Sequence, residues 1–412
     1  MDNFSVEMII ESFVERWFED ADIITNIIVA ERGGKSDVTY FMFLKKKILD
    51  SEEIINEPPP VTDYTANQRY YEKIEELLDK TNQCNIIKKK RFGFYEDGDV
   101  RIVACRKSLL EEIEEKIGKW GCFKAPKQYL DLIVDFVEGS TNGITLMEDV
   151  LDIKYGLKTN ANELFYLPSK HWAFVSENDE YLRLSEVGGT KKLQLSKKYL
   201  RPLIRLRHIE DSPYLISKLK KDKKENYVVW VENVNTVSDE GMKDYLEWVH
   251  EFIRTEHEQN GRFPTIAKQL DSPKWTKLPD TSGAQFLFKN AIHKNFAIYF
   301  NGMREAQIDK RLFMGYLKED VDPKIAFASF NSVITYLGME LIGRTNLGQG
   351  VLDVNIVDYN KIPIVDPKYL QNELAKKGKV KELLNLVDKI LSLKPLNIDK
   401  EFKNPIRVKW MN

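Results

Sequence analysis

Short apolar runs separated by polar punctuation name most of the elements in this chain. Residues 23–30 (IITNIIVA) and 37–44 (DVTYFMFL) are apolar runs on either side of Glu31-Arg32-Gly33-Gly34-Lys35-Ser36, so the pattern predicts two strands joined as a hairpin. Residues 45–63, with Pro58-Pro59-Pro60, read as an exposed connector. From 66 to 80 the apolar positions recur at helical spacing, with Tyr70, Ile74, Leu77 and Leu78 on one face. Strands near 86–94 and 100–105 flank the turn Glu96-Asp97-Gly98-Asp99. Ser108 with Glu111 three residues on has the spacing of a capping box, and a further helix is predicted over 126–137.

Residues 139–143 are a polar break, which places a domain boundary there. Short strands and turns follow, with helices predicted over 242–258 and 323–342 and a charged helix over 368–393. The expected organisation is a hairpin at 1–50, a connector with helices at 51–143, a mixed domain at 144–367 and a helical tail at 368–412. The class is α+β with at least two lobes.

Composition narrows the function classes. Of the 412 residues 42% are hydrophobic and 31% charged, which suits a globular chain rich in surface charge. Cys84, Cys105 and Cys122 are odd in number and lack CxxC spacing, so neither a disulfide framework nor a zinc site is expected. That favours a reducing, cytoplasmic setting. No apolar run approaches the roughly 20 residues that cross a bilayer. The acids among residues 1–20 argue against a signal peptide.

The glycine pairs Gly33-Gly34 and Gly188-Gly189, and Gly348-Gln349-Gly350, do not follow a first strand and open a helix, as a doubly wound cofactor site requires. Glu57-Pro58-Pro59-Pro60-Val61 reads as a linker, since it lacks the polar first residue and the aromatic of an amine-holding loop. His250-Glu251 and His257 lack HExxH spacing, and neither a Gly-x-Ser-x-Gly elbow nor a P-loop is present. The clearest signal is charge clustering. Lys191, Lys192, Lys197, Lys198, Arg201, Arg205 and Arg207 lie in one segment, interleaved with Tyr199, Tyr214 and Tyr227 and followed by Lys218, Lys220, Lys221, Lys223 and Lys224. Such a segment can neutralise phosphates and release counterions; a solvated surface is the plainer alternative. The segment 88–91 (KKKR) is a weaker patch. Lys+Arg 62 against Asp+Glu 64 gives a net charge of −2, so DNA binding would need these cations gathered on one face.

Three stretches resemble the rear half of the TaqI-like and fused restriction–modification adenine-specific (N6) DNA methyltransferases: residues 9–44, 153–167 (IKYGLKTNANELFYL) and 326–367. The resemblance implies the terminal hairpin of a methyltransferase sheet, a target-recognition domain and a C-terminal helix. Phe18, in Trp17-Phe18-Glu19-Asp20, falls where that family stacks an aromatic on the flipped adenine. In the second stretch Gly156, Thr159, Asn162 and Phe165 keep the family's pattern, with Asn160 where glycine is usual. The resemblance assigns DNA contact to Lys158, Thr159, Asn162, Arg344 and Asn346, beside the basic segment, whose Lys197, Lys198 and Arg201 are expected on phosphate. It implies double-stranded DNA as a partner and a second, catalytic chain carrying S-adenosylmethionine and the amine-holding loop, with no cofactor bound by this chain alone. An inactive fragment of such an enzyme, or a protein-interaction scaffold, is the alternative.

Overall fold

A computed structural model of the chain describes residues 4–13, 26–34, 36–48, 64–86, 91–210, 212–219, 224–293, 295–318, 320–344 and 351–395. Internal contacts divide it into two units. The first comprises Met1–Asp149, Ala291–His293 and Ser332–Leu370; the second comprises Val150–Asn290, Lys294–Asn331 and Gln371–Asn412. Helices and several sheets are mixed along the chain, the α and β mixture its patterning predicts.

The first unit is built on five strands, β1 (Phe4–Ser12), β2 (Asn26–Arg32), β3 (Val38–Leu44), β4 (Phe92–Glu96) and β5 (Val100–Arg106), in the order β2-β1-β3-β5-β4. The predicted hairpin does not form. β1 lies between its two strands, antiparallel to β2 and parallel to β3. Strand β1 escaped the pattern because FSVEMIIES mixes polar with apolar positions, and a parallel neighbour leaves no turn signal. β3 is instead covered by β5 on its other side, which joins residues 1–50 and 51–143 in one sheet. The β4–β5 turn falls where expected, because Asp97 Oδ1 accepts from the amides of Asp99 (2.8 Å) and Val100 (2.9 Å).

Helix α1 (Tyr64–Asp79) sends Leu77 into a core with Met42, Leu44, Val100, Ile102 and Ala104. Helix α2 (Lys107–Ile117) starts directly from β5. Arg106 therefore occupies the cap position without a side-chain cap bond, Ser108 lies inside the first turn, and the expected capping box is absent. Helix α3 (Lys127–Val137) follows Pro126 and buries Leu130, Ile133 and Val134.

In the second unit a three-stranded sheet (Trp172–Glu177, Tyr181–Glu186, Lys192–Ser196) carries the helix Glu240–Asn260, whose Met242, Tyr245, Val249 and Ile253 are buried. Asp239 caps that helix by accepting from Met242 N at 2.8 Å. Gly241 is required there, since a Cβ would lie 2.0 Å from the Gln194 carbonyl oxygen. A four-stranded sheet runs Gln307–Ile308, Leu200–Ile204, Tyr227–Val229, Tyr166–Leu167, and a five-stranded one runs from Leu215–Ile216 to Leu151–Tyr155. The helix predicted over 323–342 is two helices. Pro323–Phe330 belongs to the second unit, and Val333–Ile342 to the first, newly capped by Ser332 accepting from Thr335 N. The final helix is likewise broken, at Gly378 (φ +65°), into Pro367–Lys376 and Val380–Leu391. No single helix among the described residues is long and apolar enough to cross a membrane.

Candidate functional site

The string Gly156 to Phe165 is built mostly for folding. A Cβ on Gly156 would meet the Asp309 carbonyl oxygen at 2.3 Å, so only glycine lets this strand end approach residue 309. The Leu157 amide then bonds Ile308 O at 2.6 Å. Thr159 is buried; its hydroxyl donates to Asn162 Oδ1 at 2.5 Å and accepts from Ala161 N at 3.1 Å. Asn160 has φ +60°, the left-handed region that glycine and asparagine tolerate best, which explains why one can replace the other here. Phe165 is buried edge-on against Trp275. Lys158 is exposed and makes no ion pair among the described residues.

This turn forms one wall of a cleft of about 460 Å³ shared with Lys170, Glu225, Arg262 and Phe263. Asn160, Glu225 and Phe263 are three of the four non-glycine residues with positive φ among those described. Backbone strain therefore gathers at this cleft. Its charges are internally balanced: Glu163 holds both Lys170 and Arg262, and Arg262 also meets Glu256 at 2.6 Å.

The basic segment separates into two groups. Arg205 is paired with Glu225, lies 3.9 Å from buried Asp309 and sits 5.2 Å over the Tyr166 ring. Arg207 bonds Asn226 Oδ1 at 3.2 Å and lies 3.8 Å from Glu225. Lys197 meets Glu177 at 3.1 Å and lies over Tyr227. These three are half-buried and tie strands together. Lys191, Lys192, Lys198 and Arg201 are exposed and form no ion pair among the described residues. Lys192 alternates with buried Leu193 and Leu195, which fixes it on the solvent face of its strand. The interleaved Tyr199 and Tyr214 are buried, and Tyr227 bonds Glu177, so none of the three is a free stacking plate.

Sequence reasoning missed a second cleft, of about 320 Å³, lined by Arg201, Trp230, Asp280, Ser282, Glu305 and Gln307. Arg201 lies on the strand paired with Tyr227–Val229, after which Trp230 follows; Gln307 lies on the parallel neighbour of Leu203. Hydrogen bonds from Gln307 and the Ser282 amide hold the Asp280 carboxyl below the usual carboxylate range. No pattern signals this set, because it draws on four segments more than twenty residues apart in sequence.

Arg344 lies in the first unit, where its backbone pairs with Asp353 and its side chain is 3.9 Å from buried Asp358. From the patch at 88–91, Arg91 is held by Glu112 (2.7 Å) and Glu138 (3.1 Å). Phe18 and Asn346 lie outside the described residues. Gly33 (φ +74°) and Gly188 (φ +76°) sit in turns between strands, so neither opens a helix onto a cofactor.

No curated protein matches the sequence. Among solved structures, the type IIG restriction endonuclease BpuSI aligns at 12% identity with a TM-score of 0.42, covering 94% of this chain and 39% of that one. The chain thus spans about two fifths of that protein's length. Residues 119–392, more than half of the sequence, match the family described as the C-terminal domain of the type II methyltransferase M.Eco57I, and the chain belongs to that family.

Proposed function

We propose that this chain is the DNA-binding, target-recognising part of a site-specific adenine N6-methyltransferase of a restriction–modification system. In this reading S-adenosylmethionine and the catalytic loop reside on a separate chain, and this one supplies grip and sequence choice on double-stranded DNA. Membership of the type II methyltransferase family supports the setting. The observation that carries the DNA reading is the set of exposed cations Lys158, Lys191, Lys192 and Lys198 in one unit, none of them ion-paired among the described residues, while neighbouring cations are spent on acids. Unpaired ammonium groups are the ones able to displace counterions from phosphate.

The test is duplex binding followed across salt concentration. Lys191→Ala with Lys192→Ala and Lys198→Ala is expected to weaken binding for all sequences alike. The salt slope should flatten by about one unit per lost phosphate contact. Lys197→Ala, whose ammonium already serves Glu177, should leave the slope nearly unchanged. Salt-independent or absent duplex binding by the unaltered chain would favour the scaffold alternative.

A further inference from the structure

We propose that the cleft between Arg201, Trp230 and Asp280 reads one G·C base pair from its major-groove edge, with Asp280 accepting from the cytosine amine and Arg201 donating to guanine. The proposal rests on the DNA-binding reading above and adds to it the residues that choose sequence.

Asp280 is set in place by a relay of hydrogen bonds. Its Oδ1 accepts from Gln307 Nε2 at 2.9 Å and from Ser282 N at 2.9 Å. Gln307 is itself buried, and its Oε1 accepts from Thr281 N (2.7 Å) and Thr281 Oγ1 (2.9 Å). With both donors fixed on Oε1, the amide must turn its NH₂ toward Asp280. Asp280 is exposed to the cleft, where the Ser282 side chain also acts on its carboxylate. Arg201 shares the cleft and its charge acts on the Asp280 carboxylate, but among the described residues the two form no ion pair, so the guanidinium keeps donors for a ligand. Trp230, half-buried, gives an apolar wall beside them.

A fixed anionic acceptor beside an exposed guanidinium matches one base pair best. In the major groove cytosine presents an N4 donor, and its guanine partner presents two acceptors, O6 and N7, spaced for the arginine fork. An A·T pair also offers an amine, but its thymine gives the guanidinium a single acceptor and a methyl group. A phosphate is disfavoured, because the Asp280 and Glu305 carboxylates both line the cleft. That sets Arg201 apart from the lysines assigned to phosphate.

The experiment is selection of a randomised duplex pool by the full chain, followed by sequencing, in parallel for the unaltered protein, Arg201→Ala, Asp280→Ala and the isosteric Asp280→Asn. The unaltered chain should show a position with at least about ten-fold preference for G·C. Both alanine variants should lose that preference about ten-fold there and keep it elsewhere. Asp280→Asn, which adds a donor at the same place, should shift the preference toward a base presenting a carbonyl. Variants that retain the full pattern, or that weaken all sequences equally, would overturn the base-reading role and leave the DNA-binding proposal standing. Failure of the unaltered chain to bind any duplex would overturn both.

Discussion

At the scale of single residues, the turn at 156–162 shows how conformational constraint passes for a recognition motif. Gly156 answers to the Asp309 carbonyl oxygen, Asn160 to a left-handed backbone, and Thr159 to two local hydrogen bonds. Gly156→Ala should therefore destabilise the chain by about 1–3 kcal/mol, as overpacking against a closed backbone does. Asn160→Gly should be close to neutral, whereas Asn160→Ala should cost about 1–2 kcal/mol from the left-handed conformation alone. Urea denaturation of the three variants checks the ranking; a stable Gly156→Ala protein would mean the two strand ends separate easily. The residue types at these positions were legible in the sequence, but their reasons were not, because residue 309 is remote in the chain. The same remoteness hid Glu225 as the partner of Arg205, and Asp280 with Gln307 as neighbours of Arg201.

At the scale of elements, local patterns were read well and non-local pairings poorly. The helices Glu240–Asn260 and Lys127–Val137 and the β4–β5 turn announce themselves by periodicity or by turn chemistry within a few residues. The β1–β3 pairing and the division of 323–342 between two units depend on partners that periodicity does not name. One consequence is at β2, the outer strand of its sheet, exposed throughout and carrying Ile27, Ile28 and Val29. An outer strand with apolar side chains invites another strand. We expect the isolated chain to self-associate and Ile28→Lys to reduce it to a monomer, as read by sedimentation velocity. A monomeric unaltered chain would count against a strand-pairing role for this edge.

At the scale of the whole molecule, a net charge of −2 does not tell which charges are paired. Some acids are engaged with cations, such as Glu225 with Arg205 and Glu163 with Arg262, while Lys158, Lys191, Lys192 and Lys198 are exposed and form no ion pair among the described residues. The proposed division of labour carries an outcome at this scale. Calorimetric titration of the chain with S-adenosylmethionine should give no micromolar binding, and methyl transfer should appear only after a catalytic chain is added. In that reconstituted pair Phe18→Ala should slow transfer about ten- to a hundred-fold if Phe18 stacks on the adenine, with little change in melting temperature. A large drop in melting temperature would make Phe18 a core residue instead.

The path of the chain between its two units bears on how such a protein could change its target. The second unit is interrupted by Ala291–His293 and resumes after Leu370, where the helix Val380–Leu391 packs on Pro323–Phe330, with Lys324 and Asp388 2.6 Å apart. A single genetic exchange replacing 150–331 would carry both clefts with Lys158, Lys191, Lys192 and Lys198 to a new host sequence. It would also leave behind the helix that closes that unit and bring in a foreign strand at 291–292 for the other. Inheritance of a new specificity by block transfer is thus constrained by two short seams, whereas substitutions at a few cleft positions meet no such barrier.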